Sequence, residues 1–211
     1  VLNEKKELIL EFVQPTGWSS VDTAEEIRQK LEFAGINLSN ESSHCVATGY
    51  GRISVPYADK TVTEITCHAL GAVHLFQHPD LTVIDIGGQD TKIIQIEQGF
   101  VKDFIMNDKC AAGTGRFLEV MANTLSLRPN EMFDLARLGS DTTISSMCTV
   151  FAESEVIGLI GKGEPKENIA YAVVNSTIRK VAAQVSRMNG EMFTFCLTGG
   201  LCECDYIREA L

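Results

Sequence analysis

Residues 81–107 read LTVIDIGGQDTKIIQIEQGFVKDFIMN. The first eight form an apolar run that ends in two glycines, the pattern of a buried strand. Residues 91–107 are two more strand-length stretches on either side of the turn Glu97-Gln98-Gly99. Three strands in quick succession predict an antiparallel meander. A dinucleotide-binding βαβ unit is excluded, because a helix would follow the glycines at once and here another strand does.

Downstream of the meander the texture becomes helical. CAAGTG (110–115) is a small-residue loop, and apolar spacing predicts helices over 116–125, 131–138, 149–160 and 168–188. TTISSMC (142–148) reads as a strand or extended loop. MFTFCLTGG (192–200) predicts a strand returning to the sheet and ending in two glycines, with a last helix from Asp205. Upstream, residues 1–14 read as a strand-turn-strand edge and 22–33 as a helix with Ala24, Ile27 and Leu31 on one stripe. CVATGYG (45–51) reads as a short strand running into glycines, and 61–76 as a second helix. The expected class is mixed α/β. A meander, then helices, then a returning strand suits a ribonuclease-H-like half-domain.

The 211 residues are 45% apolar and 22% charged, enough for one domain or two small lobes around a cleft. Eighteen basic against 28 acidic residues give a net charge of -10, which disfavours nucleic acid as the main partner. A glycine-lined pocket for a small phosphate ligand stays compatible with that sign. No apolar run approaches the ~20 residues needed to span a bilayer, so no membrane association is expected. The opening VLNEKKELIL is charged and lacks the apolar core of a signal peptide. Val1 stands in mid-pattern and CDYIREAL reads as a helix cut short, so a piece of a longer protein is expected. Seven cysteines, an odd number without an export signal, argue for a reducing, cytoplasmic location rather than a disulfide framework.

Three strand ends carry glycine with polar neighbours: Thr48-Gly49-Tyr50-Gly51, Asp85-Ile86-Gly87-Gly88-Gln89-Asp90 and Thr198-Gly199-Gly200. Glycine lets backbone N–H groups approach a phosphate without a Cβ in the way. Asp85 closes an apolar strand, where a carboxylate can hold Mg²⁺ or orient a water. Ordinary hairpin turns are the competing reading of each end taken alone.

Two cysteine segments stand out. NDKCAAGTGRFLEV (107–120) and SSMCTVFAESEVI (145–157) place Cys110 and Cys148 at predicted helix starts, with Thr149 as the expected cap of the second helix. A helix start favours a thiolate and a bound anion. Two thiolates are too few for a zinc or iron–sulfur centre, and a two-fold dimer supplies the other two. Buried or idle thiols are the alternative. Cys202-Glu203-Cys204, with Cys196 nearby, is a poor chelating pattern and reads as locally oxidation-sensitive. Cys45 and Cys67 read as core thiols, and His68 and His74 as satisfied or surface histidines.

The strings TGYGR (48–52), ADKTVTEITCHALGA (58–72), DIGGQDTK (85–92), MNDKCAAGTGRFLEVMA (106–122) and SSMCTVFAESEVI (145–157) closely resemble the activators, or component A proteins, of 2-hydroxyacyl-CoA dehydratases. These are ATPases of the BadF/BadG/BcrA/BcrD type, grouped with the ATPase subunits of benzoyl-CoA reductase. The resemblance implies the actin–hexokinase-like ATPase fold, two ribonuclease-H-like lobes around a nucleotide. It implies ATP/ADP with Mg²⁺ as cofactor and a homodimer with one 4Fe–4S cluster at the subunit interface. Cys110 and Cys148 match the ligand positions. The implied activity is ATP-driven transfer of one electron to a dehydratase component, with ferredoxin or flavodoxin as donor.

Family chains open with a D-x-G-S-T-type phosphate hairpin and continue past the TGG turn, and this sequence shows neither segment. The expected fold is therefore truncated at both ends. Residues 1–80 are expected to be the remainder of the first lobe, and 81–211 the second lobe with the cluster cysteines. Asp85 and Gln89 are the expected catalytic residues, Asp85 through Mg²⁺ or its water and Gln89 near the γ-phosphate. Gly87, Gly88, Gly113, Gly115, Gly199 and Gly200 are the expected cofactor contacts, the last two against the adenosine. Two other classes share the glycine strand ends: a sugar or acid kinase of the same superfold, and an ATP-dependent regulator without catalysis. Neither needs paired cysteines, and an iron–sulfur absorbance band separates them from an activator.

Overall fold

The computed structural model describes residues 1–145, 148–188 and 194–211. The chain divides into two compact units, Val1–Cys67 and His68–Leu211.

In the first unit, helix α1 (Ser20–Phe33) starts two residues before the predicted helix, because the Ser19 hydroxyl caps it by accepting from the Asp22 amide. Its apolar stripe buries Ala24 and Leu31, and the Tyr57 hydroxyl donates to the Ala24 carbonyl at 2.8 Å. Strands β1 (Val46–Ala47) and β2 (Lys60–Thr61) form a short parallel pair. The strand-turn-strand expected over 1–14 reduces to one antiparallel bridge between Leu2 and Leu8. The Asn3 side chain accepts from the amides of Lys5 and Glu7 and so makes the turn. Leu2 and Leu8 stay exposed, so nothing drives a longer ladder. Cys45 and Cys67, expected in a core, are only half-buried.

Helix α2 (Glu64–Phe76) runs across the division between the units. In the second unit β3 (Leu81–Ile86), β4 (Thr91–Glu97) and β5 (Phe100–Asn107) form the predicted meander. Gln98 and Gly99 both take positive φ, 52° and 81°, as a tight hairpin turn requires. Strand β6 (Thr194–Thr198) pairs parallel to β3, giving the order β5-β4-β3-β6. The stretch between β5 and β6 holds α3 (Gly115–Thr124), α4 (Pro129–Ala136), α5 (Thr149–Gly161) and α6 (Lys166–Val185). A last helix, α7 (Asp205–Ala210), follows β6. No strand forms over 142–145, and residues 146–147 and 192–193 of the expected extended segments lie outside the described residues.

All six residues of β3 are buried. A strand covered on both faces reads as a continuous apolar run, which is why LTVIDI was legible without alternation. Ile84, Ile86 and Ile93 face one side and join Phe117, Met121 and Val173 of the helices in one core. Val83, Asp85, Lys92, Ile94, Cys196 and Thr198 fall on the opposite face by register.

Burial of Cys196, 5% exposed on β6, pushes its thiol up to about 11. A proton held more tightly by the folded than by the unfolded chain stabilises the native state below the unfolded value of ~8.5. That contribution, on the order of 3 kcal/mol, is lost as pH rises through the native value. Thermal unfolding should therefore show a midpoint that falls between about pH 8 and pH 11. The fall should be shallower in Cys196→Val. An unchanged slope in that variant would remove Cys196 as the cause.

Candidate functional site

The centre of the site is set by strand register. Asp85 of β3 pairs with Lys92 of β4 on one side and with Thr198 of β6 on the other. The three side chains thus stand in one row on one face. Lys92 Nζ lies 3.3 Å from Asp85 Oδ2 and 2.7 Å from Asp90 Oδ1. The Thr198 hydroxyl donates to Asp85 Oδ1 at 3.0 Å. His68 of α2 meets the Thr198 hydroxyl through Nε2 at 2.8 Å. Asp85, Asp90 and Lys92 are all buried. Two buried carboxylates thus lie against one ammonium, and charged groups held away from water are costly unless they are paired. Sequence reading placed Asp85 here but missed Lys92, Thr198 and His68. Lys92 and Thr198 arrive by cross-strand register. The available signal for His68 was a polar side chain beside Ala69 and Ala72, which are buried on the same helix.

The turn after β3 is closed by the Gly87 amide donating to the Asp90 carbonyl at 2.9 Å. Helix α3 docks directly onto it. The Gly115 amide donates to the Gly87 carbonyl at 2.9 Å, and the Arg116 amide to the Gly88 carbonyl at 2.7 Å. A Cβ on Gly115 would fall 3.2 Å from Gly88 Cα, so this close approach favours glycine. Gly87, Gly88, Gly115 and Gly200 line one cavity of about 460 Å³, together with Arg128 and Leu201. Gly113 stands apart from that cavity. Its carbonyl accepts from the Thr91 hydroxyl at 2.6 Å, and it lines another of about 430 Å³ with Phe117 and Lys180. Gly199 is packed against β3 itself.

Cys110 lies in the loop between β5 and α3. The Asn107 side-chain amide donates to the carbonyls of Cys110 and Ala112 at 2.8 and 3.0 Å. Cys110, Lys109 and Arg116 line a cavity of about 540 Å³ with Gly88 and Gln89. The structure thus brings the glycine turn and this cysteine to one hollow. Cys110 lies in the loop ahead of α3, as expected, and Thr114 is the N-cap residue of that helix, its hydroxyl donating back to the Ala111 carbonyl at 2.7 Å rather than making a cap bond. The cap expected of α5 needs correction. Cys148, not Thr149, is the cap residue of α5. Cys204 also stands at a helix start, that of α7, so the position is not particular to Cys110 and Cys148.

Cys148 is exposed, Cys110 half-buried. Helix α5 packs on α3 with Ala152 and Val156 fully buried, and the Thr124 hydroxyl shares its one proton between the Val120 carbonyl at 3.0 Å and Glu153 at 3.2 Å. Its other face leaves Val150, Phe151, Ile157 and Ile160 exposed. Among the described residues no three His, Cys, Asp or Glu side chains gather as a metal site, and no helix is long and apolar enough to cross a membrane.

A meander closed by a parallel strand, with carboxylate and glycine turns at the strand ends, is the actin–hexokinase-like ATPase architecture. The chain belongs to the BadF/BadG/BcrA/BcrD ATPase family, whose model matches residues 1–211. It is 42% identical to the (R)-2-hydroxyglutaryl-CoA dehydratase activating ATPase of Acidaminococcus fermentans, over 100% of this chain and 81% of that protein. The crystal structure of component A of that organism's dehydratase matches with a TM-score of 0.79, 41% identity, and coverage of 93% of this chain and 75% of that one. The activator of the 2-hydroxyisocaproyl-CoA dehydratase from Clostridium difficile, with bound ADPNP, matches with a TM-score of 0.75 and 36% identity over 93% and 71%.

Gly199 and Gly200 separate two roles of glycine. Gly199 takes φ +83°, and a Cβ there would lie 2.5 Å from the Ile86 carbonyl oxygen and 2.7 Å from Asp85 Oδ1. A Cβ on Gly200 meets nothing within 4 Å. Gly199→Ala should therefore destabilise by roughly 2–4 kcal/mol. Gly200→Ala should cost about 1 kcal/mol or less. Equal urea midpoints for the two variants would contradict the packing of this turn on β3.

Proposed function

We propose that this chain is an ATP-dependent activator of a 2-hydroxyacyl-CoA dehydratase, a cytoplasmic one-electron donor that couples ATP hydrolysis to electron transfer. Residues 1–80 belong to its first lobe and 81–211 to its second. The observation that carries this reading is the single hollow shared by Gly88, Gln89 and Cys110, with α3 hydrogen-bonded to the glycine turn. A kinase of the same superfold needs no cysteine in that place.

The residues present fit the groups that such a protein takes. Asp85 offers hard carboxylate oxygens, and each keeps a lone pair after the bonds from Thr198 and Lys92. It would hold Mg²⁺ or its water, with Gln89 toward the γ-phosphate and the Gly87–Gly88 backbone along the phosphates. Gly199 and Gly200 would flank the adenosine. Cys110 and Cys148 would hold an iron–sulfur cluster, two thiolates per chain and four per two-fold pair. Such a cluster would supply one-electron chemistry. The exposed Val150, Phe151 and Ile157 beside Cys148 supply an apolar face for a second copy. An acidic ferredoxin or flavodoxin would be the donor and the dehydratase component the acceptor.

Motion follows from the hydrogen bonds. A shift of Gly88 on loss of the γ-phosphate pulls on the first turn of α3 through Arg116, and on α5 through the α3–α5 contact. The loop of Cys110 is tied to the paired ends of β4 and β5 by Thr91 and Asn107, and Thr91 directly follows the turn that Gly87 and Asp90 close. The two thiols therefore respond to one movement.

In the intact protein Asp85→Asn should reduce ATP hydrolysis at least ~10-fold, about 1.4 kcal/mol of barrier. Unchanged turnover would take Asp85 out of the site. Anaerobic reconstitution followed by iron and sulfide assay should give about four irons per two chains. Cys110→Ala and Cys148→Ala should each lose nearly all of it, because a two-fold axis doubles every change. Cys202→Ser should retain it. Iron kept in both of the first two variants, or lost in the third, would overturn the ligand assignment.

A further inference from the structure

We propose that His68 is a positioning residue for Asp85, acting through the Thr198 hydroxyl. The direction of each bond is fixed by proton count. A carboxylate only accepts, so Thr198 Oγ1 donates its single proton to Asp85 Oδ1, at 3.0 Å. The hydroxyl must then accept from its other neighbour, His68 Nε2, at 2.8 Å. His68 therefore carries a proton on Nε2. Its direct separation from Asp85 Oδ1 is 4.0 Å, too long for a hydrogen bond, so Thr198 is the necessary link.

The chain matters because Lys92 does not hold Asp85 alone. Lys92 Nζ is closer to Asp90, at 2.7 Å, than to Asp85, at 3.3 Å. The carboxylate is oriented by two donors on different oxygens, Thr198 on Oδ1 and Lys92 on Oδ2, and two such bonds fix its plane. Without the imidazole the Thr198 hydroxyl loses the partner that aims its proton, and Asp85 is free to turn toward Lys92. The side chains of His68 and Asp85 are 21% and 7% exposed, so water is a poor substitute at the carboxylate end. Neutral and charged imidazole both carry the Nε2 proton in this arrangement, and no change of charge is required.

The inference rests on the reading that Asp85 acts on the nucleotide. Steady-state ATP hydrolysis by the intact protein tests both separately. His68→Phe and Thr198→Val should each lower kcat about 10-fold with the KM for ATP within about twofold, the signature of a group that works only in the transition state. His68→Gln, which returns an N–H donor, and Thr198→Ser, which keeps the hydroxyl, should recover most of kcat. Residues in series do not add, so the double variant His68→Phe/Thr198→Val should be no slower than the worse single. If His68→Phe does not fold, the Thr198→Val and Thr198→Ser pair carries the comparison. Parental turnover in Asp85→Asn would mean that the nucleotide reading has failed. An inactive Asp85→Asn with parental kcat in His68→Phe and Thr198→Val would overturn the positioning role while leaving the site intact. Additive losses, or no recovery in His68→Gln and Thr198→Ser, would overturn it as well.

Discussion

The first amides of an α-helix have no partner within the helix, and in α3 two of them are taken by the turn that follows β3. The bonds from Gly115 and Arg116 to the Gly87 and Gly88 carbonyls make turn and helix one mechanical body. Each is worth about 1 kcal/mol net, and more if the groups were left buried and unpaired. Moving Gly88 without α3 means breaking both. Thr91 and Asn107 extend the same body to the loop of Cys110, and the Thr124–Glu153 bond extends it to α5. The remaining features of the second unit are arranged around this joint.

The charged row on the opposite face of the sheet is a second constraint. Lys92 is 2% exposed and lies between two buried carboxylates. A hydrophobic replacement of such a group often stabilises a protein, so burial of three charges is a poor device for stability alone. It is a good device for holding one carboxylate at a fixed angle next to a glycine turn. That explains why the polar row falls at the C-terminal ends of β3 and β6, while Val83, Ile94 and Ile96 further along the same face are apolar and buried.

Much of the fold was legible because its strongest signals are local. β3 is covered on both faces and reads as an unbroken apolar run. The β4–β5 hairpin is announced by Gln98-Gly99, and the long helices by their apolar period. The turn expected within 1–14 is there, closed by the Asn3 side chain, but the flanking strands shrink to one bridge because Leu2 and Leu8 bury nothing. The starts of α3 and α5 were legible to within a residue, but the cap of α5 was not, since Thr149 is the better capping residue by type and the backbone puts Cys148 in that position. In the site, Asp85 and the glycine turns could be found from one segment. Lys92 and Thr198 could not, since register brings them beside Asp85, and His68 reaches it from a helix 130 residues before Thr198.

The parallel pairing of β3 with β6 has a consequence for how the molecule comes into being. Asp85 and Thr198 are 113 residues apart in sequence. The meander is made of local contacts and can form soon after it leaves the ribosome. The carboxylate of Asp85 acquires its oxygen partner only when β6 has been synthesised and has inserted along β3. Until then that edge of β3 is an open ladder bearing a half-compensated charge. The geometry around Asp85 is consequently a late event of folding, gated by the arrival of β6.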